Sequence, residues 1–529
     1  MNPPSADAGG VLRSLTTQDV AGSDSRIDLA IVLSLALITL IIHVLADPQY
    51  GYFRDELYFL ACGRHLAWGY VDQPPLIAAI AEFSRWLLGD SLRAIRFFPA
   101  LAGAGKVLLT GLITRELGGR RYAQVLACVA VITAPIYLGI DHLLTMNAFE
   151  PLFWMGCAFV AIRTLKGGNP RLWLVFGALA GLGLENKYSM LFFGFAFVVG
   201  VLFTRQRKIF LNKWLWLGGA VAFLIYLPNF LWEVWHHWPM FEILENIQHS
   251  HKNEPVTLWS FFTGQLLLLE PLAAPLWLGG LAWFFFAKAA KPFRLLGWTF
   301  VVLFATFVLL HGKVYYLAPA YPMLFAAGGI AVERWVERSS TTWLKWAVVA
   351  VLVAAGGLLA PFAIPILPVD TYIAYQKALH LEPPRTEQHR MGPLPQSYAD
   401  MFGWPEMVAK VAEAYNKLTP EEKSKCAVFA QNYGEAGAVD FFGPKYGLPH
   451  ALSGHNNYFL WGPDGYTGDV MIVMGDRRKG LEKYFDHVEL GAVFEDPYVM
   501  PYENHLPIWI CRGIKVPLKK LWPRLKIYI

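Results

Sequence analysis

Tyr52-Phe53-Arg54-Asp55-Glu56-Leu57-Tyr58, followed by Gly69-Tyr70-Val71-Asp72-Gln73-Pro74-Pro75-Leu76, lies in a stretch from Asp47 to Asp90 that separates two long apolar segments. The run before it, Ile27 to Ala46, is about 20 residues of mostly apolar character, enough to cross a bilayer. Ionisable residues beside such runs are expensive and usually functional, so Arg54, Asp55, Glu56 and Asp72 are the first candidates for chemistry.

The chain of 529 residues is 55% hydrophobic, 15% aromatic and only 16% charged. That balance argues against a string of soluble domains and predicts a mainly α polytopic membrane bundle. The net charge of +5 is small for this length, and the basic residues fall in short clusters between apolar runs, which argues against nucleic acid as a partner. Residues 1–26 are rich in Ser, Gly, Asp and Ala without periodicity, the pattern of a disordered cytoplasmic tail. Leu76 to Leu88 is too short to span and contains Glu82 and Arg85; it reads as an amphipathic helix in the interface. Ten further spans are expected at 93–114, 122–140, 147–165, 171–186, 188–204, 214–230, 262–287, 295–311, 315–332 and 343–366, making about 11 in a transmembrane domain over 27–368. Thirteen is the alternative count, because Pro271 and Pro275 can divide one span and the pair around Lys187 can be cut differently.

Loop charge sets the orientation. Arg115, Arg120 and Arg121, then Arg163, Lys166 and Arg171, then Arg205, Arg207, Lys208 and Lys213, then Lys288, Lys291 and Arg294, then Arg334, Arg338 and Lys345 mark alternate loops as cytoplasmic. The loops between them face outward, and so does a soluble α/β module over 369–529. In that module Lys425 to Gln431 and Val470 to Met474 read as buried strands, and Pro405 to Lys417 and Gly434 to Phe442 as helices. Cys426 and Cys511 both fall there, where a disulfide is chemically allowed.

The outward loops bring titratable groups to one membrane face: Asp55, Glu56 and Asp72; Asp141 and His142; Glu185 and Lys187; His236, His237 and Glu242; Lys313 with Tyr315 and Tyr316. A site assembled from several loops is the simplest functional reading. The plain alternative, polar loops that merely touch water, is weakest for Asp55-Glu56, bracketed by aromatics, and for Lys313, set between two apolar spans.

Arg54-Asp55-Glu56-Leu57-Tyr58, Gly69-Tyr70, Gln73-Pro74-Pro75-Leu76 and Arg93-Ala94-Ile95-Arg96-Phe97 together resemble the first outer loop of the GT-C glycosyltransferases, the protein O-mannosyltransferases and lipid A aminoarabinose transferases among them. Asn229-Phe230-Leu231-Trp232-Glu233, Lys313-Val314-Tyr315-Tyr316 and Ser453-Gly454-His455-Asn456-Asn457-Tyr458 are similar to the bacterial branch. The resemblance implies an enzyme of the bacterial inner membrane with its site on the periplasmic side. Such an enzyme moves a sugar, with inversion, from a polyprenyl phosphate to a glycolipid, polysaccharide or protein acceptor. It makes Asp55 the base, with Glu56 supporting it. Arg54, Asp72, Asp141, His142, Asn147, Lys187, His237, Lys313, Tyr315 and Tyr316 become the substrate-binding candidates, Lys187 and Lys313 for the phosphate.

A departing phosphate needs Lys, Arg or a divalent metal to stabilise its charge. The candidate metal is Mg, Mn or Zn, and its candidate ligands are Glu56, Asp141 and His142. Asn147 stands where many relatives have a second acidic residue, which weakens any metal site. His236, His237, His249 and His251 follow no recognised ligand spacing. A transporter or lipid flippase is the alternative function, but such proteins commonly show internal repeats and midplane charges, whereas here the polar residues gather at loop ends.

Overall fold

The computed structural model describes residues 8–250, 256–339, 341–381 and 390–529. Seven helices are long and apolar enough to cross a membrane, and up to ten if each of three bent pairs counts as one span. The shorter apolar helix Leu172–Asn186 stands beside them. Every segment expected to span is helical, and no further apolar helices among the described residues support thirteen. The prolines act as anticipated: Leu258–Leu268 and Pro271–Phe286 meet at a 99° bend, because proline removes a backbone donor and clashes with the preceding turn.

The first helix runs Ala8–Ala46. Its apolar part, Arg26–Ala46, is long and apolar enough to cross a membrane. Residues 1–7, and His251, lie outside the described residues.

Beyond Val369 the chain forms a module around one five-stranded sheet. Its strands are β1 (Cys426–Ala430), β2 (Ala451–Ser453), β3 (Val470–Met474), β4 (Phe485–Phe494) and β5 (Leu506–Ile514), in the order β2-β1-β3-β5-β4. β1 is parallel to β2 and β3, while β5 is antiparallel to β3 and β4. Central β3, Val-Met-Ile-Val-Met, is buried along its whole length. The disulfide expectation fails on this topology. β3 separates Cys426 from Cys511, a gap of about 10 Å across two strand spacings, beyond what a disulfide bridges, and both thiols are free and buried.

The module and the 47–90 stretch share a core. Leu57, Leu60 and Ile77 pack in one cluster with Val408, Val428, Val439 and Ile472, and each such fully buried side chain contributes about 1.5–3 kcal/mol. The helix Tyr433–Phe442 lies so close against Arg54–Arg64 that a Cβ on Gly437 would come within 2.9 Å of the Leu57 backbone. Leu76–Leu88 buries Ile77, Ala78, Ala81 and Ser84 and exposes Phe83, Trp86 and Leu87, the amphipathic face its sequence predicts.

Candidate active site

Asp55 and Glu56 are neighbours on a helix, so their side chains diverge by about 100°, and the two carboxylates meet opposite environments. Glu56 points inward. One turn into Arg54–Arg64, it reaches back to accept the Phe53 N–H at 2.8 Å. It also accepts from Arg96 Nε and Nη2 at 2.9 and 2.8 Å and from Leu144 N–H at 2.9 Å, with no exposure to solvent. Arg96 in turn donates to the carbonyls of Asp47 and Gly51. With both oxygens engaged, Glu56 has no lone pair left for a metal, which corrects the ligand role expected of it and leaves it as a support for the turn before Asp55.

Asp55 remains 31% exposed at its side chain. Its Oδ1 accepts from Tyr433 OH at 2.9 Å and lies 3.6 Å from Arg54 Nε. The Tyr433 ring stacks on Tyr58 with centroids 4.7 Å apart. Tyr58 OH donates to Asp72 Oδ1 at 2.7 Å, and Asn456 Nδ2 donates to Asp72 Oδ2 at 3.2 Å. Arg54 is an anchor: Nη1 donates to Tyr502 OH at 2.9 Å and lies 3.6 Å from Asp400, while its guanidinium sits over the Tyr433 ring.

A second cluster forms where Met146–Leu165, the break after Leu172–Asn186 and the turn Val314–Ala320 meet. Lys187 Nζ donates to Asn147 Oδ1 at 2.7 Å and to Glu150 Oε2 at 2.9 Å. The ammonium lies 5.6 and 5.0 Å from the ring centroids of Tyr315 and Tyr316, and Ser189 donates to the other oxygen of Glu150. Tyr315 joins the two clusters, being within electrostatic reach of both Glu150 and Asp55. A partly exposed carboxylate and a lysine–tyrosine cluster therefore lie near one another at one end of the bundle.

This architecture matches a solved one. The chain superposes on ArnT from Cupriavidus metallidurans in the apo state with a TM-score of 0.60, covering 91% of this chain and 97% of that one at 17% identity. The fold is the one that ArnT has. The same ArnT bound to undecaprenyl phosphate superposes equally, at 16% identity. Residues 72–232 match the family model described as dolichyl-phosphate-mannose-protein mannosyltransferase. Over 318 residues the chain is 26% identical to the undecaprenyl phosphate-alpha-4-amino-4-deoxy-L-arabinose arabinosyl transferase of Edwardsiella ictaluri (strain 93-146). That match covers 55% of each chain, so this chain spans about half the length of its curated relative.

Within this fold the remaining expected residues separate. Asn147, Lys187, Tyr315 and Tyr316 come together, and Lys313 begins the turn that carries both tyrosines, half-buried. His237 is exposed in the turn between Lys213–Trp235 and Pro239–Ser250 and, among the described residues, has no side-chain hydrogen bond. Asp141 is buried against Lys106, 2.7 Å from each oxygen, and takes no part in the pocket. Sequence reading missed Tyr433 and Asn456 as site residues. Only the motif around Ser453 to Tyr458 hinted at the second, and no local signal marks the first.

The expected metal set does not assemble. Glu56 is saturated, Asp141 is held by Lys106, and His142 instead gathers with His43 and Asp47, whose ligand atoms lie within 4.8 Å of one another. Arg96 Nη1 stands 3.3 Å from His142 Nε2, and Asp47 Oδ1 stands 3.1 Å from Nδ1. A guanidinium can only donate, so Nε2 accepts and the ring proton is on Nδ1, given to Asp47. That tautomer leaves His142 no nitrogen lone pair for a cation, and Arg96 repels one, although His43 Nδ1 and Asp47 Oδ2 are buried there without hydrogen-bond partners. The set Glu56, Asp141 and His142 does not fit the expected divalent metal.

Around Arg54 the carboxyls outnumber the cations. Asn432 Nδ2 bridges Glu435 Oε1 and Glu503 Oε1 at 3.0 and 2.9 Å. Burial raises both of these carboxyls above the ordinary carboxylate range, and the charge of Glu503 raises Glu435 further. Burial pushes Asp400 up to about 7, with Arg54 opposing and the Asp55 charge adding. It lifts Asp72 to about 6, opposed by the Tyr58 hydrogen bond. Folded values above the ordinary carboxylate range mean that these groups bind protons more tightly in the folded state, so the stability they contribute is full below about pH 4 and is lost as pH rises through 6 to 7. The melting temperature in detergent is expected to drop between pH 5 and 8, and Asp400→Asn to flatten that slope. A melting temperature that rises over this range contradicts the assignment.

Proposed function

We propose that the protein is an inverting glycosyltransferase that moves a sugar from a polyprenyl-phosphate carrier to a glycolipid, polysaccharide or protein acceptor at the outer face of a bacterial inner membrane. The observation that carries this is the pairing of half-exposed Asp55 with the Lys187–Tyr315–Tyr316 pocket at one end of a GT-C bundle. ArnT, with the same fold, has been solved with undecaprenyl phosphate bound, which supports a carrier of that class here.

In this reading Asp55 takes the proton of an acceptor hydroxyl as its oxygen bonds to the anomeric carbon. The bond from that carbon to the phosphate oxygen breaks on the opposite face, and the electron pair leaves with the lipid phosphate. General-base help of this kind contributes about 10²- to 10⁴-fold. Lys187, aided by Lys313, stabilises the departing phosphate, and a charge-assisted contact of this kind contributes about 1.5–3 kcal/mol. Tyr315 and Tyr316 flank the ammonium and orient the phosphate or the sugar.

Purified protein in liposomes containing undecaprenyl-phosphate-linked sugars tests the reaction: sugar must reach an acceptor and free undecaprenyl phosphate must appear. Movement of the lipid-linked sugar across the bilayer without transfer would instead establish the flippase alternative. The same comparison in cells with and without the protein, by analysis of lipid-linked sugars and surface glycolipids, identifies donor and product. Orientation rests on the alternation of basic loops. A membrane-impermeant thiol reagent is expected to label a cysteine at exposed Asp464 from outside and to miss one at Arg207, and the opposite pattern would reverse the topology.

A further inference from the structure

Asp55 sits on a helix of the 47–90 stretch, yet its hydroxyl partner comes from the C-terminal module, 378 residues later. We propose that Tyr433 is the positioning residue for Asp55, so that the module supplies part of the active site and is more than a covering domain. This rests on the glycosyl-transfer reading above and names how its base is held.

Four observations converge on Tyr433. Its hydroxyl donates to Asp55 Oδ1 at 2.9 Å, while Oδ2, among the described residues, accepts no hydrogen bond. One oxygen is tied and the other is left for an acceptor proton. The ring is clamped between Tyr58, stacked with centroids 4.7 Å apart, and His455, tilted at 4.7 Å. The Tyr433 N–H donates to His455 Nδ1 at 3.3 Å. The residue also begins a capped helix, because Asn432 Oδ1 accepts the Gly434 and Glu435 N–H groups at 2.9 and 3.0 Å. Asn432 is itself fixed by the Glu435–Glu503 pair.

The helix cannot slide away. A Cβ on Gly434 would lie 2.3 Å from Arg54 Cγ, so Arg54–Arg64 and Tyr433–Phe442 are in contact at the residues flanking Asp55 and Tyr433. A phenol held this rigidly restricts a carboxylate to one orientation, the condition under which a base is effective. The same module steadies the neighbouring acid: Asn456 donates to Asp72, and Asn457 Oδ1 accepts the Val71 N–H at 2.8 Å. The charged groups around Asp55 are Arg54 at 3.6 Å, Asp72 and Asp400, with Tyr315 on the pocket side.

Tyr433→Phe keeps the ring stack and removes only the hydroxyl. Expected are a fall in kcat of about 10-fold, the loss of one charge-assisted hydrogen bond, and a donor KM unchanged within about 2-fold. The acidic limb of the pH–rate profile should move up by about half a unit to one unit, since a carboxylate that loses a donor holds its proton more tightly. Incorporating 3-fluorotyrosine at position 433, a stronger donor of nearly the same size, should move that limb the other way. In the double variant with Asp55→Asn, the Tyr433→Phe change should add nothing, because it acts through the carboxylate. Unchanged kcat and limb in both Tyr433 variants, or independent addition in the double variant, overturns the inference while leaving the reaction in place. Full turnover by Asp55→Asn alone removes the base from this position and this inference with it, whereas a parent protein that transfers no sugar from any lipid-linked donor overturns the glycosyl-transfer reading.

Discussion

Asp55→Asn is expected to bind its lipid-linked donor and fail to transfer the sugar, with turnover reduced at least about 10²-fold. The amide keeps the size of the side chain and can still accept from Tyr433 OH at the position of Oδ1, so the helix and its docking survive while the basic oxygen is gone. Lys187→Ala should do the reverse of a pure chemical lesion and weaken donor use, since in the proposed reaction the ammonium held by Asn147 and Glu150 is the cation that meets the phosphate. Single-turnover kinetics with donor-binding measurements separate the two. If Asp55→Asn turns over normally, no base acts at this position. If Lys187→Ala leaves the apparent donor affinity unchanged, the phosphate contact passes to Lys313.

Arg96→Met is expected to prevent the protein from accumulating in folded form. The substitution strands Glu56 with no exposure and no counter-charge, and breaking one side of such a pair costs about 3–5 kcal/mol, a large fraction of a typical stability. It also releases the carbonyls of Asp47 and Gly51 and opens the turn before Asp55. Glu56→Gln should likewise lower the melting temperature, and its activity loss should track the fraction folded. A Glu56→Gln protein that melts like the parent but has lost transfer would falsify the structural role, and Glu56 and Asp55 would then exchange assignments.

The spans, their breaks at Pro271 and Lys187, the amphipathic Leu76–Leu88 helix and the strands β1 and β3 were legible because each is written in a local pattern of apolar residues or breakers. The meeting of Lys187 with the Tyr315–Tyr316 pair was legible from loop placement. The burial of Glu56 was not, because adjacent acidic residues look alike until the helix fixes which one faces inward. β4 was missed because its exposure follows no strict alternation and it carries an irregularity between Leu490 and Ala492. The separation of Asp141 from His142, one going to Lys106 and the other to Asp47, depends on which partners three helices bring near. Tyr433 is the extreme case: a tyrosine in an ordinary amphipathic segment gains its role from a contact that no window of sequence contains.

That contact has a consequence for synthesis. Asp55 and Tyr433 are separated by 378 residues, and at a ribosomal rate of about 5–20 residues per second the first waits roughly 20–75 seconds for the second to emerge. Throughout that interval the membrane helices can insert and lipid carriers can diffuse nearby, but the carboxylate has no phenol to hold it and Leu57 and Ile77 have no module to cover them. Until the module folds, the apolar side chains of this loop that it will bury stay uncovered, so the loop and the module reach their shared core only when the last part of the chain is made.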